Sequence, residues 1–233
     1  MKITVIYATQ RKSKSSTYNI AQRFIRQLSD ADTVITEFFL PESMPKFCRG
    51  CWNCFTDFTK CPDYGYLKPI IESMCEADLL IFTAPVYVYH VPGQLKAFLD
   101  HFGYQWMAHQ PRKEMFSKQA LLISTAAGAG TRSALKDLKD SMTFWGISRI
   151  YAFGRNIHAS DWDTVEEKKK HELQKQIDKL SIKIKADSRN IRVSLKVKAL
   201  FYAMRYMHKK FRFNPADVQH WEAHGWLEKE RPW

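Results

Sequence analysis

The feature that most constrains this chain is a repeating beat: a short run of β-branched and apolar residues, a polar loop, then apolar residues at helical spacing. Lys2–Tyr7 (KITVIY) is apolar without alternation, as a strand buried on both faces should be, and a Ser/Thr/Lys-rich loop follows it. From Thr17 onward Ile20, Ala21, Phe24, Ile25 and Leu28 recur with helical period, and residues 33–40 (TVITEFFL) read as a second strand. The same logic predicts helices over 66–76, 92–102, 132–145 and 162–186. Further strands are predicted over 78–83, 119–125 and 148–153. Five strands alternating with helices, with no internal repeat, predict one open, doubly wound parallel α/β sheet.

At 233 residues the chain suits one sizeable core with some terminal elaboration. The expected division is 1–187 for the sheet domain and 188–233 for a C-terminal extension that packs on the domain or on a partner subunit. That extension holds an amphipathic segment over 191–211, with Leu195, Leu200, Phe201, Met204 and Met207 among basic residues. A break at Asn214-Pro215 follows, then a tail with Trp221, Trp226 and Trp233, too much aromatic surface to leave in water. The chain carries 36 Lys and Arg against 24 Asp and Glu, a formal charge of +12 concentrated after residue 165. Solvated helix faces account for most of it, and a basic module for nucleic acid or a membrane surface is the alternative of another class. No run approaches the roughly 18 apolar residues of a membrane span, and the first residues enter a strand directly, so the cytoplasm is the expected location.

In such a sheet, ligands sit outside the carboxyl ends of the strands, where the strand order reverses. The first loop, residues 8–17, sets Thr9, Arg11, Ser15, Ser16 and Thr17 immediately before a helix, which makes an anion site from hydroxyls, free amides and a guanidinium. Ser16 or Thr17 would cap any helix, so this loop alone distinguishes little. Neither a G-x-x-x-x-G-K-[ST] nor a G-x-G-x-x-G pattern is present, and a single terminal phosphate suits the loop best.

The loop after the third strand carries the resemblance. Pro85, Val86, Tyr87, Gln94, Leu95, Lys96, Phe98 and Asp100 fit the [ST]-P-V-Y-x(6)-Q-L-K-x-F-x-D stretch of the NAD(P)H-dependent FMN reductases. The first loop resembles that family's G-S-P-R-x-N-G-N-T loop at Arg11 and Thr17, with Thr9 in place of serine and Gln10 in place of proline. Residues 125–130 are similar to its glycine-rich turn. The resemblance implies a flavodoxin-like five-stranded sheet of order 2-1-3-4-5, an FMN cofactor, and NADH or NADPH as hydride donor. It also implies a flavin, quinone or similar acceptor, and a homodimer or higher homo-oligomer. Thr9, Arg11, Ser15, Ser16 and Thr17 would then hold the FMN phosphate. Pro85, Val86, Tyr87, Val88 and Tyr89 would border the ring together with Thr125, Ala126, Ala127, Gly128 and Gly130. The hard chemistry belongs to the flavin, so no catalytic acid or base is assigned.

Four of the five cysteines, Cys48, Cys51, Cys54 and Cys61, fall in 14 positions as C-x2-C-x2-C-x6-C. This resembles the compact motif of the iron-sulfur flavoproteins, which implies a [4Fe-4S] cluster exchanging electrons with FMN beside the flavin edge. Zinc, or thiols that are free, packed or disulfide-linked, are the alternatives. Cys75 reads as a core residue. His90, His101 and His109 have no metal-ligand or triad spacing and are expected to pack or face solvent.

Overall fold

A computed structural model describes residues 1–188 and 191–233; Arg189 and Asn190, within the basic stretch, lie outside the described residues. Five strands, β1 (Lys2–Tyr7), β2 (Val34–Phe39), β3 (Leu79–Pro85), β4 (Gln119–Ala126) and β5 (Arg149–Asn156), pair in parallel in the order β2-β1-β3-β4-β5. This is the expected flavodoxin-like order, with its reversal between β1 and β3. β4 is buried along its whole length, whereas edge strand β2 leaves Val34 and Ile35 exposed, which is why only the central strands read as unbroken apolar runs.

Helices α1 (Ser16–Leu28) and α5 (Glu167–Ser188) cover one face of the sheet. Helices α2 (Tyr64–Glu76), α3 (Gly93–Asp100) and α4 (Thr131–Phe144) cover the other. On the first face Ile20, Phe24 and Leu28 of α1 meet Leu173, Ile177 and Ile184 of α5 over Val5, Ile81 and Ile123. On the second, Leu67, Ile70 and Met74, then Leu95 and Phe98, then Leu138 and Met142 pack over Ile6, Phe82 and Leu122. Cys75 is half-buried against this second core.

Of the boundaries that differ from the sequence reading, three have a clear local reason. The cap of α1 is Ser15, whose Oγ accepts the Tyr18 amide at 3.5 Å, one residue before the expected caps. Helix α5 starts at Glu167 rather than residue 162. Trp162 and Val165 are buried on the α1–α5 face, and Val165 stays extended, so the helix begins after them. Helix α6 (Leu195–Phe211) starts at Leu195 because Ser194 Oγ accepts the Val197 amide at 3.3 Å.

The C-terminal extension forms a third core. Val197 and Phe201 of α6 join Val218 and Trp221 of α7 (Pro215–Ala223), Trp226 and Leu227, and they close on Met107 and Phe116 of the sheet domain. Trp221 and Trp226 are fully buried, so the aromatic tail packs. Trp221 Nε1 donates to His109 O at 2.8 Å, which satisfies the indole N–H that burial would otherwise strand.

Candidate functional site

The carboxyl ends of β1, β3, β4 and β5 open onto one polar pocket of about 190 Å³. Thr9, Arg11, Ser15 and Ser16 enter it from the loop after β1, Pro85, Val86 and Tyr87 from β3, and Thr125, Ala126 and Ala127 from β4. The parallel register explains the convergence: Pro85 lies opposite Thr125, and the Val86 amide donates to Thr125 O at 2.9 Å, so both loops leave the sheet at one level. A short helical turn at Lys12–Lys14 feeds Ser15, placing the first turn of α1 at the pocket floor. The leading N–H groups of that turn have no intrahelical partners and carry the positive end of the helix dipole.

The other predicted residues stand one step back. Thr17 is fully buried, with its hydroxyl 2.8 Å from Ser15 Oγ, and supports that side chain rather than facing the pocket. Val88 and Tyr89 form the tip of a tight hairpin closed by reciprocal Tyr87–His90 amide bonds of 3.0 Å, and they project outward at 93% and 64% exposure. Both have left-handed backbone (φ 47° and 66°), a costly choice for a β-branched valine. Gly130, at φ +100°, makes room for this hairpin: a Cβ there would meet Val86 Cγ1 at 2.7 Å and Tyr89 Cα at 3.2 Å. Gly128 holds the rim, its carbonyl accepting from Asn156 Nδ2 at 2.5 Å.

Sequence reasoning missed the fourth wall. Ile157, Ala159 and Ser160, after β5, line the pocket, fixed by amide bonds from Ile157 to Ala126 O and from His158 to Ala127 O. Arg11 Nη1 donates to Ser160 O at 2.8 Å and its Nη2 pairs with the Asp161 carboxylate. An anion entering the pocket would therefore meet an arginine already held by a carboxylate. The signal was available, because the end of the fifth strand opens at the same sheet edge as the others.

The motif residues of α3 have structural duties. Gln94 Nε2 donates to Ala8 O at 3.0 Å, tying α3 to the end of β1 across the reversal, while Lys96 and Asp100 pair one turn apart. Leu95 and Phe98 are buried. This stretch builds the pocket without lining it.

Cys48, Cys51, Cys54 and Cys61 line a second cavity, of about 200 Å³, with Trp52, Phe55, Asp63 and His101. It shares no lining residue with the first pocket. It abuts Asp100, His101 and Gly103 beyond the far end of α3, an eight-residue helix about 12 Å long. The cysteines thus line a cavity of their own, separate from the strand-end pocket. All four are free thiols. Burial, reinforced by the neighbouring Cys61, pushes the Cys54 thiol up to about 11, and burial raises Cys61 as well. Among the described residues no three Cys, His, Asp or Glu side chains are arranged to hold a metal ion, so a lone zinc does not fit this arrangement.

The histidines pair with carboxylates. His101 is buried, with Nδ1 2.8 Å from Ala97 O and Nε2 3.2 Å from Asp63. His109 Nδ1 lies 2.8 Å from Asp217 of α7 and exposed His90 3.0 Å from Asp137. Gln110 Nε2 bridges Phe55 O at 2.8 Å and Asp217 at 3.2 Å, and Asn214 Nδ2 also donates to Phe55 O, at 3.3 Å. The cysteine loop is therefore fastened to the C-terminal extension.

A parallel sheet of order 2-1-3-4-5 with a polar pocket at its reversal defines a flavodoxin-like α/β protein. The model of the family described as NADPH-dependent FMN reductase matches residues 1–156, and the chain belongs to that family. An iron-sulfur flavoprotein of Archaeoglobus fulgidus is 22% identical over 232 residues, 97% of this chain and 100% of that one, and so matches along the extension too. An FMN-dependent NADH:quinone oxidoreductase of Pelagibacter ubique is 29% identical over 198 residues, 77% of this chain and 100% of that one. Among solved structures, an FMN-dependent NADH-azoreductase of Bacillus anthracis superposes with a TM-score of 0.61 at 12% identity, covering 79% of this chain and 99% of the other.

Proposed function

We propose that this chain is an FMN-dependent NAD(P)H oxidoreductase that passes electrons to a quinone, a flavin or a similar acceptor. One observation carries the reading: loops distant in sequence meet in a single polar pocket at the strand reversal, above a helix N-terminus. When bound there, the flavin would supply hydride acceptance and onward electron transfer.

The chain's own residues bind and orient. The Ser15 and Ser16 hydroxyls and the first amides of α1 suit a phosphate, with Thr9 beside them and Arg11 adding charge once it exchanges Asp161 for the phosphate. The small walls at Ala126 and Ala127 admit a narrow chain such as ribityl. A pocket of about 190 Å³ is too small for a whole flavin nucleotide, which supports a ring lying on the open side along Tyr87 and the Gly128–Gly130 rim. That open side, with Tyr87, Val88 and Tyr89 exposed around it, supports a homodimer or higher homo-oligomer in which a second subunit covers the ring. No described helix is long and apolar enough to cross a membrane, and a cytoplasmic location remains our reading. We also keep the division at 187/188, which falls in the last turn of α5.

The purified protein should carry flavin absorption, or gain it on adding FMN, and should bleach anaerobically with NADH or NADPH. A protein that binds no FMN overturns the reading.

A second reading is an iron-sulfur flavoprotein in which a [4Fe-4S] cluster relays single electrons to and from FMN. It rests on the four cysteines sharing one cavity, where Cys48, Cys51, Cys54 and Cys61 would hold the cluster. Iron and sulfide assays on anaerobically prepared protein decide it: stoichiometric amounts of both support it, and absence of both excludes it.

A further inference from the structure

Helix α6 has two unlike faces. Val197, Phe201 and His208 are buried against the extension's core, whereas Leu195, Ala199, Tyr202 and Tyr206 form a row along the opposite side. Leu195 is 84% exposed and Tyr206 58%. Lys198, Arg205 and Lys209 flank one edge of this row, and Lys196 and Lys210 flank the other. The row runs on into Phe211 and Phe213, stacked 5.2 Å apart, with Phe213 78% exposed.

Residues 191–214 hold seven lysines and arginines and no Asp or Glu. Arg212 pairs with Glu222 of α7 at 2.8 Å, but among the described residues Lys196, Lys198, Lys209 and Lys210 take part in no ion pair. The patch also has an apolar neighbour. Asn214 bonds to Phe55 O, and the Phe55 ring lies 4.8 Å from the ring of Trp52, itself 69% exposed.

We propose that this face of α6 docks the protein on an anionic lipid surface. A central apolar and tyrosine row edged by lysines matches the bilayer interface, where rings and aliphatic side chains enter the acyl boundary while ammonium groups reach the phosphates. Stable peripheral binding takes two signals, and both are present: exposed apolar side chains and uncompensated basic charge. Nucleic acid is the weaker match. Its phosphates would satisfy the lysines but give Leu195, Phe211 and Phe213 nothing apolar to enter, and the row has few groups that could read base edges. The inference stands apart from the redox reading, because it uses neither the flavin pocket nor the cysteines.

The test is co-sedimentation of the full chain with vesicles of phosphatidylcholine alone or mixed with phosphatidylglycerol. Binding to the mixed vesicles only, weakening as salt is raised, is the expected result. The variant K209A/K210A should weaken it by about fivefold per lysine. L195S/Y206S should also weaken it while leaving the melting temperature unchanged, because both side chains face solvent. The proposal is overturned if the wild type ignores anionic vesicles or if L195S/Y206S binds them like the wild type. It also fails if L195S/Y206S instead lowers the oligomeric state in gel filtration, which would make the face a contact between copies of this chain. Salt-sensitive binding to an oligonucleotide but not to vesicles would reassign it to nucleic acid.

Discussion

The polar strand-end pocket and the cysteine cavity lie beyond opposite ends of α3 and are built on different principles. The pocket is made by the ends of parallel strands, so backbone pairing sets its walls, as in the Val86 bond to Thr125 O and the Ile157 bond to Ala126 O. The cysteine cavity sits in a loop with little regular structure, and side chains from distant segments hold it: Gln110 and Asn214 on Phe55 O, His101 on Asp63. A strand-end site therefore inherits the stability of the sheet, whereas the loop site inherits that of the extension clasped to it.

The strongest way to break this contrast is at the extension's core. Trp221→Ala removes a fully buried ring and should cost about 3–5 kcal/mol of stability, read by chemical denaturation, while FMN affinity stays within about twofold. A large loss of FMN binding in the folded variant would show the two regions to be coupled. Gly130→Ala attacks the pocket instead. A Cβ in left-handed backbone against Val86 and Tyr89 should cost about 2–4 kcal/mol and weaken FMN in a fluorescence titration, with the cysteine loop undisturbed.

Arg11→Ala sharpens the comparison within the pocket. Losing a charge-assisted bond to phosphate should weaken FMN by about 1.5–3 kcal/mol in the same titration. Stability should hardly change, since the Arg11–Asp161 pair is partly exposed. Equal FMN affinity in this variant would remove Arg11 from the phosphate site.

The smallest effect is one of pH. Burial lowers His220 from 6.5 to about 4, so the folded extension holds it neutral and the unfolded chain takes up its proton first. Its stabilisation is present above pH 6.5 and is lost as pH falls toward 4. Tryptophan emission should redden over that interval, because His220 packs on Trp226, and His220→Asn should reduce the change.

The strands, the helices and the family resemblance were legible because each depends on local pattern. Fully buried β4 and the α1 stripe of Ile20, Phe24 and Leu28 show their periods without knowledge of their partners. The loops that line the strand-end pocket were legible for the same reason, since the carboxyl ends of strands are known once the strands are. Asp161 was missed because a carboxylate 31 residues beyond Gly130, in no recognised motif, has no local mark, and its role appears only where β5 ends beside Arg11.

By itself, then, the sequence determined the parallel sheet, the loops at its carboxyl edge and the four-cysteine loop, for periodicity and short-range turn chemistry act within a few residues. Only the tertiary structure decided that the cysteines line a cavity separate from the strand-end pocket, that Asp217 fastens the tail to the body, and that α6 turns its tyrosines outward. Those outcomes depend on contacts between residues some 50 to 160 positions apart, as in Gln110 and Asn214 on Phe55, and no local pattern encodes such pairings.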